Sequence, residues 1–558
     1  MSDHTVRTKP ASQASPTRVR APRSKTSTHA GGHASGSGSP PQARPHVGPS
    51  SLRQDGVLAW VRDNVYGADL VIPCPSGPHP RRYFDYAASG LPFRPIEELL
   101  QKQVLPYVSN THSMSSYASE IINTLVEAAH HKVRRAVRGT DDDIIVFTGA
   151  GATGAINKLI GCLGIRIPEQ LAERYLWAAQ IPPEERPLVI LSRMEHHSND
   201  LPWRESIADI EYIGYDEHGR ANWRDIDRLL SSRELRDRPL KIGTFTAASN
   251  VTGVLNDTKA LAAAMHDHGG FAFFDFAAAG PYIPIDLHPD DDPRYQKDAI
   301  FLSVHKFTGG PQSPGLLVAN KRVFASRAPS EPGGGTVLYT SPWDYRYVDD
   351  LQAREESGTP AIVSVIRAGL AFDLKSAIGE HRLQHLEQHC LSAVVAAWRH
   401  HRKIRILGPD PSTVPRLGIL SLIIDDGHLH HNLAVRLLND LYGIQLRGGC
   451  MCAGTYGHDL LEIDKPQSRS IRDALDDGNL AAKPGWVRVS FGPGVKPDDL
   501  AVLIEAVPHI AEHWRDYATD YVFDESTAEW RHKNDVPPAI DLQLKVPDFV
   551  ATLSAREL

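Results

Sequence analysis

Two cysteines one residue apart, Cys450 and Cys452, stand in the stretch RGGCMCAGTYGH, behind a pair of glycines and ahead of a histidine. Such a pair can be a metal clip, a redox couple, a nucleophile with a neighbour, or plain loop. With no second ligand pair at metal spacing, zinc is disfavoured. In SVHKFTGGP, Lys306 directly follows an apolar run, with Ser303 and His305 beside it and a glycine turn behind. A lysine at the end of a buried strand is costly unless it is a ligand, a base or a Schiff-base former. FFDFAAAGP puts Asp275 at the end of the preceding apolar run, where a carboxylate needs a partner. GAGATG, Gly149 to Gly154, follows another apolar run and opens a helical stretch. It matches G-x-G-x-x-G, but a dinucleotide site also wants a strand-ending acid about 20 positions on, and GIRIPEQLAERY supplies none. A phosphate held by backbone N–H groups and the Thr153 hydroxyl at a helix N-terminus fits better, with a structural turn as the plain alternative.

Taken together, a lysine and an aspartate on neighbouring strand ends, facing a phosphate cradle, are what pyridoxal phosphate requires. The amine binds the aldehyde, the carboxylate keeps the pyridine nitrogen protonated, and the cradle holds the phosphate. MEHHSNDLPW adds His196 and His197. Adjacent histidines cannot share a helical metal-binding face, so one is read as stacking on an aromatic cofactor and the other as surface or packed.

These residues need a scaffold, and the chain reads as one. The runs DIIVF, PLVILS, KIGTFT, GFAFFD, AIFLS and GLLVA alternate with helical or polar segments between Tyr83 and Phe324. Strands alternating with helices predict an α/β fold with a mainly parallel, doubly wound sheet and its site at the carboxyl ends of the strands. Residues 83–370 are assigned to this large domain, 371–518 to a smaller α+β domain, and 519–558 to a C-terminal extension without an evident role. Residues 1–50, rich in Ser, Pro, Gly and Arg, read as a disordered tail rather than a transit peptide, and 51–82 as a segment packing on the small domain. With 558 residues, 41% hydrophobic and 23% charged, the chain can bury a large core. A net charge of −7 gives no general attraction to nucleic acid or anionic membrane, so a small polar molecule is the expected partner. Five cysteines are too few for a disulfide framework, and no apolar run approaches a membrane span, so a cytoplasmic protein is expected.

With its motifs in order and spacing, YFDYAAS, ATGAIN, MEHHSNDLPW, SNVTG, DFAAA, SVHKFTGGP, SGTP, RGGCMCAG and VRVSFG, the chain resembles the class V aminotransferase superfamily, in its cysteine desulfurase and selenocysteine lyase branch. The resemblance runs from about Tyr83 to Pro508. It implies a fold type I enzyme with a seven-stranded type of sheet, pyridoxal phosphate as cofactor and no metal. Lys306 would be the aldimine lysine and proton shuttle, His196 would stack on the ring, and Asp275 would pair with its nitrogen. Ser303, His305, Thr153 and the Ala152 amide would bind the phosphate, joined by Thr359 from the partner subunit of a homodimer with shared sites. Asn250 would contact the phenolic oxygen or the substrate. Arg488 would clamp the substrate carboxylate, with Arg447 close by. Cys452 aligns with the nucleophile that takes sulfur from cysteine, on a flexible loop, and would pass it to an acceptor protein; Cys450 is a possible accessory thiol. Two departures stand out. Ala278 replaces a glutamine that usually donates to the phenolic oxygen, and Cys450 stands where cysteine is unusual. A C–S β-lyase, an aminotransferase or an epimerase is the alternative, and a non-enzymatic scaffold or a nucleotide-dependent oxidoreductase stands further off.

Overall fold

The computed structural model describes residues 55–111, 113–176 and 180–535. The expected N-terminal tail lies outside them, as does the end of the C-terminal extension. The first described helix is α1 (Gly56–Asn64), capped by the Asp55 carboxylate, which accepts from the Val57 and Leu58 amides. Leu58 and Val61 of α1 join the core of the C-terminal half.

Seven strands form the central sheet: β1 (Asp143–Thr148), β2 (Leu188–Ser192), β3 (Asp209–Ile213), β4 (Lys241–Thr246), β5 (Phe271–Asp275), β6 (Ala299–Ser303) and β7 (Gly315–Asn320), in the order β1-β7-β6-β5-β4-β2-β3. β2 to β6 pair in parallel where they are neighbours, and β7 runs antiparallel between β1 and β6. Most of the strands read as near-continuous apolar runs because both faces are covered, whereas the edge strand β3, DIEYI, is mainly half-buried. Successive side chains alternate between two cores: Ala272 and Phe274 of β5 pack on one face and Phe273 on the other, as do Ile300 and Leu302 against Phe301 in β6.

Helix α2 (Tyr117–Ala136) flanks the sheet, and α3 (Gly151–Leu163) leaves the end of β1 with its first turn at the strands' carboxyl edge. Helix α4 (Ile362–Ile378) runs unbroken through residue 370, the expected junction of the two domains. Its Val365, Ala368 and Phe372 belong to the large core, and Ile362, Ile366 and Ile378 to the small one. Gly369 does not break α4, because it lies where a Cβ would sit 2.8 Å from the Ala129 Cα of α2, and so permits close helix packing. The chain turns instead at Gly379, φ +88°, before α5 (Glu380–Trp398).

The C-terminal part holds a four-stranded sheet, β8 (Ile404–Ile406), β9 (Ile419–Ile424), β10 (Arg447–Gly449) and β11 (Trp486–Ser490), ordered β8-β9-β11-β10. Helix α6 (His431–Tyr442) precedes β10. Helices α7 (Gly454–Leu460) and α8 (Lys465–Asp476) follow the cysteines, and α9 (Pro497–Ala518) packs along the domain. Up to residue 535 the C-terminal extension is folded against the rest of the chain. A hairpin of Tyr521–Asp524 and Glu529–His532 docks on α6, where the Tyr521 hydroxyl donates to Asp440 at 3.1 Å and Asn432 donates to the Ala528 carbonyl at 2.8 Å.

Candidate functional site

A cavity of about 500 Å³ opens at the carboxyl edge of the large sheet, closed from the other side by the C-terminal part of the chain. The sheet supplies its floor. Asp275 ends β5 and is 4% exposed. One of its oxygens accepts from the Ala277 amide at 2.8 Å. Burial raises its pKa, opposed by that amide and by the charge of Lys306. Lys306 lies in a single helical turn (Val304–Lys306) directly after β6, and desolvation lowers its amine to about 8, against the pull of Asp275. The two groups therefore sense each other across the pocket.

The cradle forms where β1 gives way to α3. Ala150 at the N-cap offers no side-chain cap, and Gly151 takes φ +56°. A Cβ at Gly151 would stand 2.8 Å from Ser303 Oγ and 3.5 Å from His305 Nε2, so the bare backbone keeps this corner open. Thr153 and His305 also line the cavity. The Ala152 amide, expected to face the phosphate, donates to Ser303 Oγ at 2.8 Å and so ties the two expected phosphate-binding groups together. His196 lines the cavity, and its Nδ1 accepts from the Ser198 amide at 3.1 Å. Burial, then the charge of Lys306, pushes it down to about 3, so the ring is neutral and able to lie against an aromatic cofactor. His305 is held down to about 4, again chiefly by burial.

The other wall comes from β10, β11 and the segment after β10. Arg488 is 3% exposed; it donates to Asp85 at 2.8 Å and to the Asn250 carbonyl at 3.2 Å. Arg447 donates to the other oxygen of Asp85 at 3.2 Å. Asp85 is thus a site residue that the sequence reading quoted within YFDYAAS but gave no role; its partner in Arg488 is 403 positions away. Gln312, with φ +72° on the cavity wall, was also missed, although GGPQSPG marks a turn there.

Cys452 is exposed and lines the cavity; Cys450 is half-buried and packs toward a small cluster around Met194, Val251 and Trp486. The expected flexible loop is a pinned turn. Asn250 Nδ2 donates to the Met451 carbonyl at 2.8 Å, the His197 amide donates to the Cys452 carbonyl at 2.6 Å, and the Gly454 amide donates to His197 Nε2 at 2.9 Å. Thr359 is exposed and does not line the cavity within one chain; Asn110 donates to its hydroxyl at 3.4 Å.

The residues fit pyridoxal phosphate. Two buried polar atoms on cavity-lining side chains, Asn250 Oδ1 and Arg488 Nε, have no hydrogen-bond partner in the protein, and the glycine-lined corner beside Ser303 is polar and open. Asn250 cannot flip to present its amide, because its oxygen would then face the Met451 carbonyl. Its oxygen is therefore left as a buried acceptor without a partner. Ala278, which also lines the cavity, has no side-chain donor.

This is the site of a pyridoxal-phosphate enzyme of fold type I. The sequence matches the family described as Aminotransferase class-V over residues 82–503, and the chain belongs to that family. Among its relatives, a protein of Halalkalibacterium halodurans named a probable cysteine desulfurase is 27% identical over 382 residues, 67% of this chain and 84% of that one. One of Halobacterium salinarum with the same name is 26% identical over 420 residues, covering 74% and 92%. A solved cysteine desulfurase of Thermococcus onnurineus superposes with a TM-score of 0.64 at 20% identity, over 81% of this chain and 98% of its own. One of Escherichia coli gives 0.59 at 22%, covering 77% and 94%. At these identities the structural likeness supports the fold.

Proposed function

We propose that this enzyme is a cysteine desulfurase, acting on free cysteine or a related sulfur or selenium amino acid and leaving alanine and a persulfide. The observation that carries this reading is Cys452 lining the same cavity as Lys306, Asp275 and Arg488. Pyridoxal phosphate, when bound, supplies an electron sink that labilises bonds at the α-carbon of an amino acid. Lys306 would hold it through its amine, Asp275 would keep its ring nitrogen protonated, His196 would face the ring, and Ser303, His305, Thr153 and the open turn of α3 would take the phosphate. Arg488 binds the substrate carboxylate, a planar two-pronged contact that lysine cannot reproduce. Lys306, with its amine near 8, is matched to move the α-proton at neutral to mildly alkaline pH. The Cys452 thiolate then attacks the substrate sulfur. The S–S bond forms as the C–S bond breaks, and the carbon skeleton leaves as alanine after protonation. A thiol acceptor would take up the persulfide.

The working unit is proposed as a homodimer in which Thr359 reaches the partner's phosphate site. An exposed hairpin (Val337–Thr340, Tyr345–Tyr347) supports this: Leu338, Tyr339 and Trp343 are 64%, 60% and 91% exposed, large apolar side chains grouped as at interaction sites. Five free cysteines support a reducing, cytoplasmic setting. No helix among the described residues is long and apolar enough to cross a membrane.

A product assay on cysteine tests the reaction. Alanine and sulfide, abolished in Cys452→Ala and retained in Cys450→Ala, are expected. Pyruvate as the product, or indifference to both substitutions, favours the C–S lyase alternative.

A further inference from the structure

The turn that carries Cys452 has an unfavourable backbone. Met451 and Cys452 both take φ +53°, two successive non-glycine residues in the left-handed region. Single residues visit that region at a cost, and a strained pair persists only where its surroundings over-determine it. Here the surroundings are three hydrogen bonds on neighbouring residues. Asn250 holds the Met451 carbonyl, and the other two belong to His197: its backbone amide grips the Cys452 carbonyl at 2.6 Å, and its ring Nε2 accepts from the Gly454 amide at 2.9 Å. The ring can approach because residue 454 is glycine, whose Cβ would otherwise lie 3.1 Å from Nε2.

His197 does not line the cavity that holds Lys306. It borders a separate groove of about 470 Å³ on the far side of the turn, with Arg193, Asp200, Arg204 and Thr455. Asp200 braces the same region, accepting from Thr455 Oγ1 at 3.3 Å and from Arg204 at 2.7 and 2.8 Å. Behind it, Arg193 and Tyr215 both donate to Asp459 of α7. An Nε2 that accepts from an amide must be unprotonated, and burial lowers the pKa of His197 in keeping with that.

We propose that His197 is a positioning residue for the thiol: its imidazole, acting from outside the cavity, clamps the strained Met451–Cys452 turn so that the Cys452 sulfur faces the substrate. The role rests on the desulfurase reading; the clamp itself does not. Cofactor and substrate binding belong to other side chains, so loss of the clamp should damage sulfur abstraction alone.

The test compares holoenzyme carrying His197→Ala, His197→Leu and His197→Gln with the parent. Leucine fills the space without an acceptor and serves if the alanine variant does not fold; glutamine restores an acceptor for the Gly454 amide. In the alanine or leucine variant, kcat for alanine formation should fall by about tenfold or more. KM for cysteine and the absorbance change on mixing with substrate should stay as in the parent. Hydrogen exchange across residues 450–455 should accelerate about tenfold, the loss of one hydrogen bond. The glutamine variant should recover most of both. An unchanged kcat overturns the proposal, as does a fall in kcat matched by altered KM or absorbance, which would place His197 in the cofactor site. If the parent forms no alanine, the desulfurase reading fails and the positioning role with it; hydrogen exchange then decides the clamp alone, and unchanged exchange in His197→Ala overturns that too.

Discussion

Lys306 has the most to lose from its position. Its amine is lowered to about 8 from 10.5 by burial, so the neutral, nucleophilic form grows as pH rises through 8. Reconstitution of cofactor-free protein with pyridoxal phosphate should therefore accelerate about tenfold per unit below that point and level off above it, read by stopped-flow absorbance. Lys306→Ala should neither develop the yellow colour nor turn over. Arg488→Lys should raise KM for the amino acid about tenfold, because a point charge replaces a planar fork; unchanged KM would remove Arg488 from substrate binding. Lys306, Asp275 and Thr153 are legible in the sequence because each stands at the junction of an apolar run with a polar turn. Asp85 and His197 are not, because what gives them meaning is a partner brought near only by folding: Arg488 for Asp85, and Gly454, 257 positions away, for His197.

At the scale of elements, the cradle depends on an uncapped helix start. Gly151→Ala should weaken cofactor binding about tenfold or more, since it adds both left-handed strain and a methyl group against Ser303; equilibrium titration of cofactor-free protein measures this. The central sheet sets the spacing of the strand ends and should be costly to disturb: Phe301→Ala, in a fully buried position of β6, should destabilise by about 3–5 kcal/mol in denaturant unfolding. Six of the seven strands are readable as apolar runs of strand length; the edge strand β3, DIEYI, is not, because its acids interrupt an only half-buried strand. At the expected junction near residue 370, α4 serves two cores and carries a glycine that permits close packing, a double role that its sequence does not display. The hairpin after α9 escaped notice for a related reason. Its sequence is largely polar, and its aromatic residues find their partners only on folding: Tyr521 at Asp440 of α6, Phe523 and Trp530 against each other and against His430 just before α6.

For the whole molecule, the proposed assembly is the open dimension. Trp343→Asp together with Tyr339→Asp should shift the enzyme from dimer toward monomer in sedimentation and lower cofactor affinity, because Thr359 of one subunit would no longer reach its neighbour; a monomeric parent would contradict the shared site. The central claim concerns where sulfur goes. In a single turnover of holoenzyme with cysteine and no acceptor, mass spectrometry of the peptide spanning Cys450 to Cys452 is the direct measurement. The expected result is one added sulfur atom localised to Cys452, formed in step with one alanine per active site and absent in Cys452→Ala. An unmodified peptide alongside pyruvate, or sulfur found only on Cys450, would contradict it.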